Sequence, residues 1–119
     1  MSDISTPMMN FLERALNVTS QRHQLVVTNM ANIDTPGYRT KDLDFRRELE
    51  RAGMPDGAAS LASVRNVSGL VERPDGNDVS VDREGLLLAE TQMQFGLGIQ
   101  LMQREFHNLL SAINEGNKS

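Results

Sequence analysis

Side chains that could bind a metal are few in this sequence, and their pattern does not support such chemistry. His23 and His107 have no matched carboxylate cluster to complete a metal site, so both are interpreted as hydrogen-bonded structural residues. The absence of cysteine excludes a disulfide, a thiolate site and a cysteine nucleophile. The string Asp75-Gly76-Asn77-Asp78 lacks the spacing of an EF-hand and its closing glutamate, and its residues predict a plain turn.

Motifs for nucleophilic catalysis and for nucleotide binding are also missing. The serines lie in no G-x-S-x-G elbow, and Gly96-Leu97-Gly98 lies inside a helical pattern instead of following a strand. Tyr38 is the single tyrosine, which is no stacking platform for bases, and a net charge of -4 argues against neutralising phosphates. We therefore predict no enzyme, no cofactor or metal, no small-molecule substrate and no nucleic-acid partner.

The most informative stretch is a corner that runs from Ala31 to Arg39, with the sequence ANIDTPGYR. Thr35 precedes a proline, which disfavours the α conformation, so a helix should end at or before it. Pro36 and Gly37 suit the two central positions of a type II turn, because proline sets φ and glycine accepts a positive φ. Asn32 and Asp34 can cap the last helical carbonyls or begin the turn.

A long amphipathic helix is predicted before this corner. Thr6 suits the N-cap and Pro7 the first helical position. Apolar positions then recur at steps of three and four, which is the heptad spacing of a coiled-coil seam. The predicted seam is Met9, Leu12, Leu16, Thr19, His23, Val26, Met30 and Ile33.

A second long helix is predicted over residues 81–115, with Ser80 or Asp82 as its cap and Gly116 as its stop. Gly96 and Gly98 lie within it and mark either a kink or a close approach by another chain; both interpretations stay open. The predicted seam of this helix is Val81, Gly85, Leu88, Gln92, Phe95, Ile99, Met102, Phe106, Leu109 and Ile113.

Between the long helices, Asp42 to Ala52 reads as a short helix that Asp42 or Asp44 caps and Gly53 ends. Residues 53–80 are broken by glycine and proline, and the segment from Val64 to Val71 predicts either a short hairpin, with its turn near residues 66–69, or a surface loop.

The expected fold is mainly α. Two long terminal helices form a coiled-coil-like antiparallel pair, joined by the short helix and a polar loop or small β-hairpin. We divide the chain into an N-terminal assembly helix with the turn motif (1–40), a loop-rich middle (41–80) and a C-terminal assembly helix (81–119). Aromatic residues make up only 4% of the chain, so little bulky material remains to cover the helical stripes, and we expect each to have more than one neighbour.

No apolar run reaches the roughly 18 residues that cross a bilayer. Asp3, Asn10 and Glu13 interrupt the start of the chain, which therefore lacks the apolar region of a secretory signal. We expect a protein that stays in the cytosol or leaves it by a route without a cleaved signal.

The corner resembles a motif of the rod, hook and hook-associated axial proteins of the bacterial flagellum. That family carries Ala-Asn-x-x-Thr-Pro-Gly-Tyr after an N-terminal helix, and every fixed position is matched here. Residues 8–15, 41–45, 77–84, 101–106 and 112–113 look more narrowly like proximal rod proteins. Ser80 and Gly85 depart from the residues that are frequent there, Asp and Met. The matching positions of the turn are Ala31, Asn32, Thr35, Pro36, Gly37 and Tyr38.

This resemblance implies a structural subunit of the proximal rod of the flagellar basal body, in the periplasmic space, exported by the flagellar type III apparatus without a cleaved signal. It implies copies of the same chain, other rod proteins and the membrane-ring and export-gate junction as partners. It also implies that the terminal helices gain order on assembly, when their stripes are buried. The alternatives are a cytosolic helical-hairpin adaptor or secretion chaperone and a membrane-surface amphipathic protein, and the acidic balance disfavours the latter.

Overall fold

A computed structural model describes residues 6–55 and 62–118, which form an elongated molecule of 71 × 26 × 19 Å. In chain order these residues comprise α1 (Pro7–Ala31), β1 (Lys41–Leu43), α2 (Phe45–Ala52), β2 (Val64–Asn66) and α3 (Val81–Lys118). Residues 56–61, part of the predicted loop-rich middle, lie outside the described residues. The mainly helical fold with two long terminal helices is confirmed.

Helix α1 begins at the predicted residue and ends at Ala31, which is before Thr35 as predicted but also before Ile33, the last residue of the predicted seam. The Thr6 side chain accepts a hydrogen bond from the Met9 N–H at 3.0 Å, and Pro7 occupies the first turn, where its missing N–H costs nothing. Asn32 is the C-cap residue, with its N–H bonded to carbonyls of the last turn.

Helix α3 starts as expected but does not stop at Gly116. Ser80 Oγ accepts from the Arg83 N–H at 3.2 Å, which selects Ser80 over Asp82 as the cap. The predicted stop at Gly116 is wrong, because the helix continues to Lys118. A glycine ends a helix by adopting a positive φ, and in the described part of the chain positive φ is confined to Gly37, Gly69 and Gly76.

The two long helices form an antiparallel pair, as predicted. The start of α1 contacts α3 near Glu105, and the end of α1 contacts the start of α3 near Glu84. Because α1 begins at Pro7, residues 106–118 of α3 extend beyond it. Three hydrogen bonds mark the pairing, from Thr6 to Glu105 at 3.2 Å, from Asn29 to Glu84 at 2.9 Å, and between His23 and Thr91 at 3.1 Å.

The two glycines within α3 have different surroundings. A Cβ built on Gly98 would lie 2.6 Å from Leu16 Cδ2, whereas one built on Gly96 meets nothing within 4 Å. The close approach at Gly98 is therefore made by α1 of the same chain, which the missing Cβ permits.

The small sheet differs from the predicted local hairpin. Strand β2 does not turn back on residues 67–71; it pairs antiparallel with β1, with Lys41 opposite Asn66 and Leu43 opposite Val64. This pairing is favoured because β1 follows the corner directly and carries buried side chains on which a strand can close. Asp42 therefore belongs to β1, and Asp44 caps α2 by accepting from the Arg47 N–H at 3.2 Å.

Apolar side chains fill only a small part of the interior. Buried polar residues outnumber buried apolar ones, so the described residues pack around a thin apolar seam and a polar cluster. No helix within residues 6–55 or 62–118 has the length and apolar character needed to cross a membrane. The buried apolar residues are Leu12, Val18, Val26, Leu43, Ala52, Val79 and Leu87, and the buried polar ones are Thr19, Asn29, Thr40, Asp42, Glu48, Asn77, Asp78, Glu84 and Thr91.

The close approach at Gly98 leads to a first prediction. Gly98→Val should lower the free energy of unfolding by about 1–3 kcal/mol, because the added methyl groups would overlap Leu16. The measurement is urea denaturation of the purified chain, followed by circular dichroism. Gly96→Val is the matched control, and it should be neutral or slightly stabilising because its position is open and valine has the higher helix propensity. Equal effects of the two substitutions would contradict the assigned contact.

Candidate functional site

The corner after α1 is a hydrogen-bonded turn. The Tyr38 N–H donates to the Thr35 carbonyl at 3.2 Å, and Gly37 has a φ of +74°, as a type II turn requires of its third residue. Asn32 links the turn to the helix, because its Nδ2 donates to the Thr28 carbonyl at 2.8 Å and its Oδ1 accepts from Thr35 Oγ1 at 3.0 Å. The predicted helix stop and turn are confirmed.

A second tight turn, from Arg73 to Asn77, lies against the first. The Gly76 N–H donates to the Arg73 carbonyl at 2.8 Å, and the Arg73 N–H donates to the Asn77 carbonyl at 2.8 Å. Pro74 and Asp75 occupy the central positions, and Gly76 has a φ of +85°. This is the plain turn that the sequence predicts. Among the residues that the structure describes, no group of three or more His, Asp or Glu side chains is placed to hold a metal ion.

The two turns are joined mainly through Asn77, which is fully buried. Its Nδ2 donates to the carbonyls of Asn32 and Thr35, both at 2.9 Å, so one amide holds the end of α1 and the start of the corner. The Gly37 N–H donates to the Asp75 carbonyl at 2.8 Å. The turns thus close on each other through backbone atoms, with Asn77 between them.

Glycine is required where the turns meet. A Cβ on Gly76 would lie 3.3 Å from Gly37 Cα, which is tighter than almost all such contacts. Both glycines also have a positive φ.

Asn29 connects α1, the corner and α3, and its exposed fraction is only 1%. Its Oδ1 accepts from Tyr38 Oη at 2.9 Å and from the Lys41 N–H at 3.1 Å. Its Nδ2 donates to the Lys41 carbonyl at 2.8 Å and to Glu84 Oε1 at 2.9 Å. All four hydrogen-bonding positions of the amide are therefore used, which is the most an asparagine side chain can make.

Tyr38 lies against its own chain through this bond to Asn29. Burial raises the pKa of Tyr38, and the nearby negative charges of Glu84 and then Asp78 raise it further. The neutral phenol is therefore the form that suits the folded corner, because it can donate to Asn29.

Asp78 attaches the start of β1 to the second turn. Its Oδ1 accepts from the Thr40 N–H at 2.6 Å and from Thr40 Oγ1 at 2.9 Å, and both residues are buried. Its Oδ2 lies 3.5 Å from Arg39 Nε. Arg73 strengthens the same junction by donating to the carbonyls of Ile33 and Val79. These contacts hold residues 33–40 against residues 73–79 along their length.

Two arginines and two carboxylates form a charged cluster beside Asn29. Arg22 donates to both oxygens of Asp42 at 3.1 Å, and Arg83 Nη2 donates to Asp42 Oδ2 at 2.7 Å. Arg83 Nη1 donates to Glu84 Oε2 at 2.6 Å. Burial by itself would raise the pKa of Asp42, but its bonds to Arg22 above all, and to Arg83, hold that pKa below its ordinary value. The cluster ties α1, β1 and α3 together at one end of the molecule.

The predicted packing residues of α1 lie at several depths. Leu12 and Val26 are buried, Met9 and Leu16 are half-buried, and Met30 is exposed. Ala31, the first residue of the turn motif, is an exposed residue at the end of α1.

On α3, the face that contacts α1 is displaced by one position from the predicted seam. The contacting residues include Glu84, Leu87, Thr91 and Gly98. Whether the residues of the predicted α3 seam pack against other chains in an assembly stays a prediction. Of these residues, Leu88, Met102 and Leu109 are half-buried, while Phe95, Ile99, Phe106 and Ile113 are exposed.

Sequence reasoning missed the polar residues that hold the corner. Asn29 carried a usable signal, because asparagine is a poor helix former and this one lies inside the amphipathic pattern of α1. Arg83 and Glu84 read as ordinary residues of a first helical turn, and nothing in their spacing indicates partners more than 40 residues away. The residues concerned are Asn29, Thr40, Asp42, Asn77, Asp78, Arg83 and Glu84.

No protein-family model matches the chain. Curated relatives match it over most of its length. It is 27% identical to the flagellar basal body rod protein FlgB of Salmonella typhimurium and to that of Escherichia coli, in each case over 92% of this chain and 94% of the relative. It is 28% identical to the FlgB protein of Borrelia hermsii over 85% of this chain and 91% of that relative.

The structure defines an elongated helical-hairpin protein whose terminal helices pair and whose corner is held by side-chain hydrogen bonds. Relatives from distant bacteria align with this chain over nearly its whole length. Over nearly its whole length, the chain therefore resembles the flagellar basal body rod proteins FlgB.

The Asn77 amide provides a second prediction. Asn77→Asp keeps the shape of the side chain but turns an oxygen toward the carbonyls of Asn32 and Thr35, so the free energy of unfolding should fall by about 1–3 kcal/mol near neutral pH. Urea denaturation measures the change. Asn17→Asp adds the same charge at an exposed position of α1 and should change stability by less than about 0.5 kcal/mol. An equal fall in the free energy of unfolding for both variants would contradict the role of the Asn77 amide in joining the two turns.

A third prediction concerns the titration of Tyr38. This is the chain's single tyrosine and there is no tryptophan, so tyrosinate absorbance reports on the corner alone. Its pKa should exceed the ordinary value of about 10 in the folded chain and return to it in urea. Since the folded-state pKa is raised, the stabilisation is complete below about pH 10 and is lost as pH rises through the folded value. Identical titrations in the folded and unfolded chain would contradict the buried position.

Proposed function

We propose that this chain is a structural subunit of the proximal rod of the flagellar basal body and performs no catalysis. The similarity to FlgB rod proteins carries this proposal, because the alignment spans nearly all of this chain and of its relatives. The motif residues and the segments that resemble proximal rod proteins support a place in the proximal part of the rod.

The surface of α3 supports a role in assembly. Its exposed large apolar side chains extend over most of its length, from Leu86 to Ile113. Monomeric soluble proteins rarely expose a contiguous apolar surface of this extent, and such a surface usually marks a protein–protein contact. On this proposal, residues 1–40 and 81–119 provide the assembly helices and residues 41–80 provide the part between them.

The terminal helices complete their burial in the assembled rod. Each Leu, Met, Ile or Phe side chain that passes from water to a packed contact contributes roughly 1.5–3 kcal/mol, and several such contributions offset the entropy lost when the helices become ordered. Phe106, Leu110 and Ile113, in the part of α3 that extends beyond α1, are exposed in the single chain and gain burial from a neighbour. The corner sets the direction in which α1 leaves the middle of the subunit.

The partners on this proposal are other copies of the chain, other rod proteins and the proteins of the membrane-ring and export-gate junction. The subunit crosses the inner membrane through the flagellar type III apparatus, without a cleaved signal, and acts in the periplasmic space. Cell fractionation tests this directly, because the chain should co-purify with detergent-extracted basal bodies. Recovery in the cytosol alone would favour a helical-hairpin adaptor or secretion chaperone instead.

A fourth prediction tests the corner in the cell. Gly37→Val should abolish or strongly reduce swimming and rod formation, because a β-branched residue resists a φ of +74° in the turn that closes on Asn77. Motility in soft agar and electron microscopy of basal bodies measure the effect.

Gly69→Val is the matched control, because Gly69 has a φ of +83° and equally open space around it but lies outside the corner. It should leave motility close to that of the parent. A motile Gly37→Val strain with normal rods would refute the role assigned to the corner.

A further inference from the structure

We propose that a pocket between α1 and α3 binds a tyrosine side chain of a different protein, whose hydroxyl group donates a hydrogen bond to Nε2 of His23. The pocket lies beside the hydrogen bond that joins His23 to Thr91. The proposed place in the rod does not assign a ligand to it. The pocket has a volume of about 330 Å³ and is lined by Thr19, Ser20, His23, Thr91, Gln92 and Phe95.

Hydrogen bonding at Thr91 assigns the tautomer of His23. The Thr91 Oγ1 atom lies 3.1 Å from the Leu88 carbonyl oxygen and 3.1 Å from His23 Nδ1. Because a carbonyl only accepts and a hydroxyl has a single hydrogen, Thr91 donates to Leu88 and accepts from His23 Nδ1. A neutral imidazole carries one N–H, so Nε2 of His23 is unprotonated and is a hydrogen-bond acceptor.

This acceptor is open to a ligand. Among the residues that the structure describes, none donates a hydrogen bond to Nε2 of His23. The side chain is half-buried and lines the pocket, so a group that enters the pocket can reach the imidazole ring. The pocket therefore suits a ligand that carries a hydrogen-bond donor.

The lining of the pocket favours an uncharged donor. None of its lining residues is an Asp, Glu, Lys or Arg, and α3 carries no such residue from Thr91 to Gln103. A lysine or arginine from a partner would lose hydration there without a carboxylate to pair with, which is costly. A neutral hydroxyl or N–H group enters at a much lower cost.

The size of the pocket and the Phe95 ring favour an aromatic ligand. A cavity of about 150 Å³ already holds benzene, so a volume of about 330 Å³ accommodates a phenol ring together with bridging water. The Phe95 side chain is 42% exposed, which leaves its ring available for an edge-to-face or offset contact with a second ring. A serine or threonine from a partner would leave most of this volume unfilled.

Tyrosine matches the polar groups of the pocket better than tryptophan does. The Ser20 hydroxyl and the Gln92 amide are exposed at the pocket and can donate, while Nε2 of His23 accepts. A phenol hydroxyl both donates and accepts, so it satisfies groups of both kinds, whereas an indole N–H only donates. Tyrosine is also among the residues that most often anchor protein–protein contacts in such pockets.

The ligand comes from a different protein because this chain has no spare group of the same kind. Tyr38 is its single tyrosine, and there is no tryptophan. The Tyr38 hydroxyl already donates to Asn29 Oδ1 at 2.9 Å within the corner. The phenylalanines of another copy have no polar hydrogen to donate to Nε2. Copies of this chain therefore do not supply the proposed ligand.

Histidine NMR and ligand titration of the purified full chain test the pocket. The chain has two histidines, and the exposed His107 is the internal reference. At mildly alkaline pH, where imidazole is neutral, His23 should show the Nδ1–H tautomer, and N-acetyltyrosinamide should shift its Nε2 resonance and leave His107 unchanged. N-acetylphenylalaninamide should bind about fivefold more weakly, because it lacks one neutral hydrogen bond, and N-acetyltryptophanamide should also bind more weakly than the tyrosine amide.

Thr91→Val tests the role of the tautomer. Valine has nearly the shape of threonine but cannot accept from Nδ1, so nothing holds the Nδ1–H tautomer and the preference for the tyrosine amide over the phenylalanine amide should disappear. Thr28→Val is the matched control, because the Thr28 hydroxyl donates to the Gln24 carbonyl at 2.9 Å in the same way but at an exposed position outside the pocket. It should keep the full preference.

Cross-linking in cells tests whether the tyrosine belongs to another protein. Gln24 is exposed one turn of α1 from Ser20 and does not line the pocket, so the photoreactive residue p-benzoylphenylalanine can replace it there. Light should link the chain to a tyrosine-containing segment of a different protein. Replacing that tyrosine by phenylalanine should lower the yield about fivefold, and Thr91→Val in this chain should lower it as well, whereas Thr28→Val should not.

Several results would overturn the proposal. An Nε2–H tautomer of His23 would do so, and so would equal binding of the tyrosine and phenylalanine amides. Cross-links that join only copies of this chain would contradict the assignment to a different protein. A tyrosine amide that binds while no tyrosine-containing segment is linked in cells would indicate a site for a free phenol and would also overturn the protein partner. None of these results would affect the proposed structural role in the rod.

Discussion

The side-chain amide of Asn29 is the contact on which the arrangement of this molecule depends. It bonds at once to the corner through Tyr38, to β1 through the backbone of Lys41, and to α3 through Glu84. A buried amide with all its positions satisfied stabilises one geometry and penalises every other, because any shift leaves a polar atom without a partner. The Asn29 side chain thus holds the corner, β1 and α3 in place around the end of α1, and the Asn77 amide likewise joins the two turns.

Charged side chains also fix the register of α3 against α1 and β1. Arg83 donates to both Asp42 and Glu84, and Arg22 reaches Asp42 from α1, so three elements are aligned by one cluster. Buried ion pairs contribute little net stability, because their desolvation offsets the attraction. Their consequence here is geometric: α3 cannot slide along α1 by a turn without separating Asn29 from Glu84 and Arg83 from Asp42.

The two ends of the molecule thus differ in physical character. Around the corner, polar groups are buried and paired within the chain. Along the rest of α3, apolar side chains are exposed, and residues 106–118 extend beyond the start of α1. Directional hydrogen bonds fix the geometry around the corner, whereas the burial of the apolar side chains of α3 is incomplete in the single chain. On the proposed structural role, this division leaves the apolar surface of α3 available for contacts with neighbouring subunits.

Local chemistry was enough to predict the helices, the N-cap of α1 and the turn at Pro36 and Gly37, because each depends on residues close together in sequence. For α2 and α3 it gave two candidate caps each, and the structure selected Asp44 and Ser80. The same local reasoning failed at Gly116, where the helix continues to Lys118, and at β2, whose partner strand lies some 20 residues earlier. Only the tertiary structure decided the register of α3 against α1 and the partners of Asn29, Asn77 and Arg83. The physical reason is that α3 is apolar on several sides, so its apolar periodicity is compatible with more than one face packing on α1. The hydrogen bonds between distant side chains allow only one of these faces, and a sequence does not show those bonds.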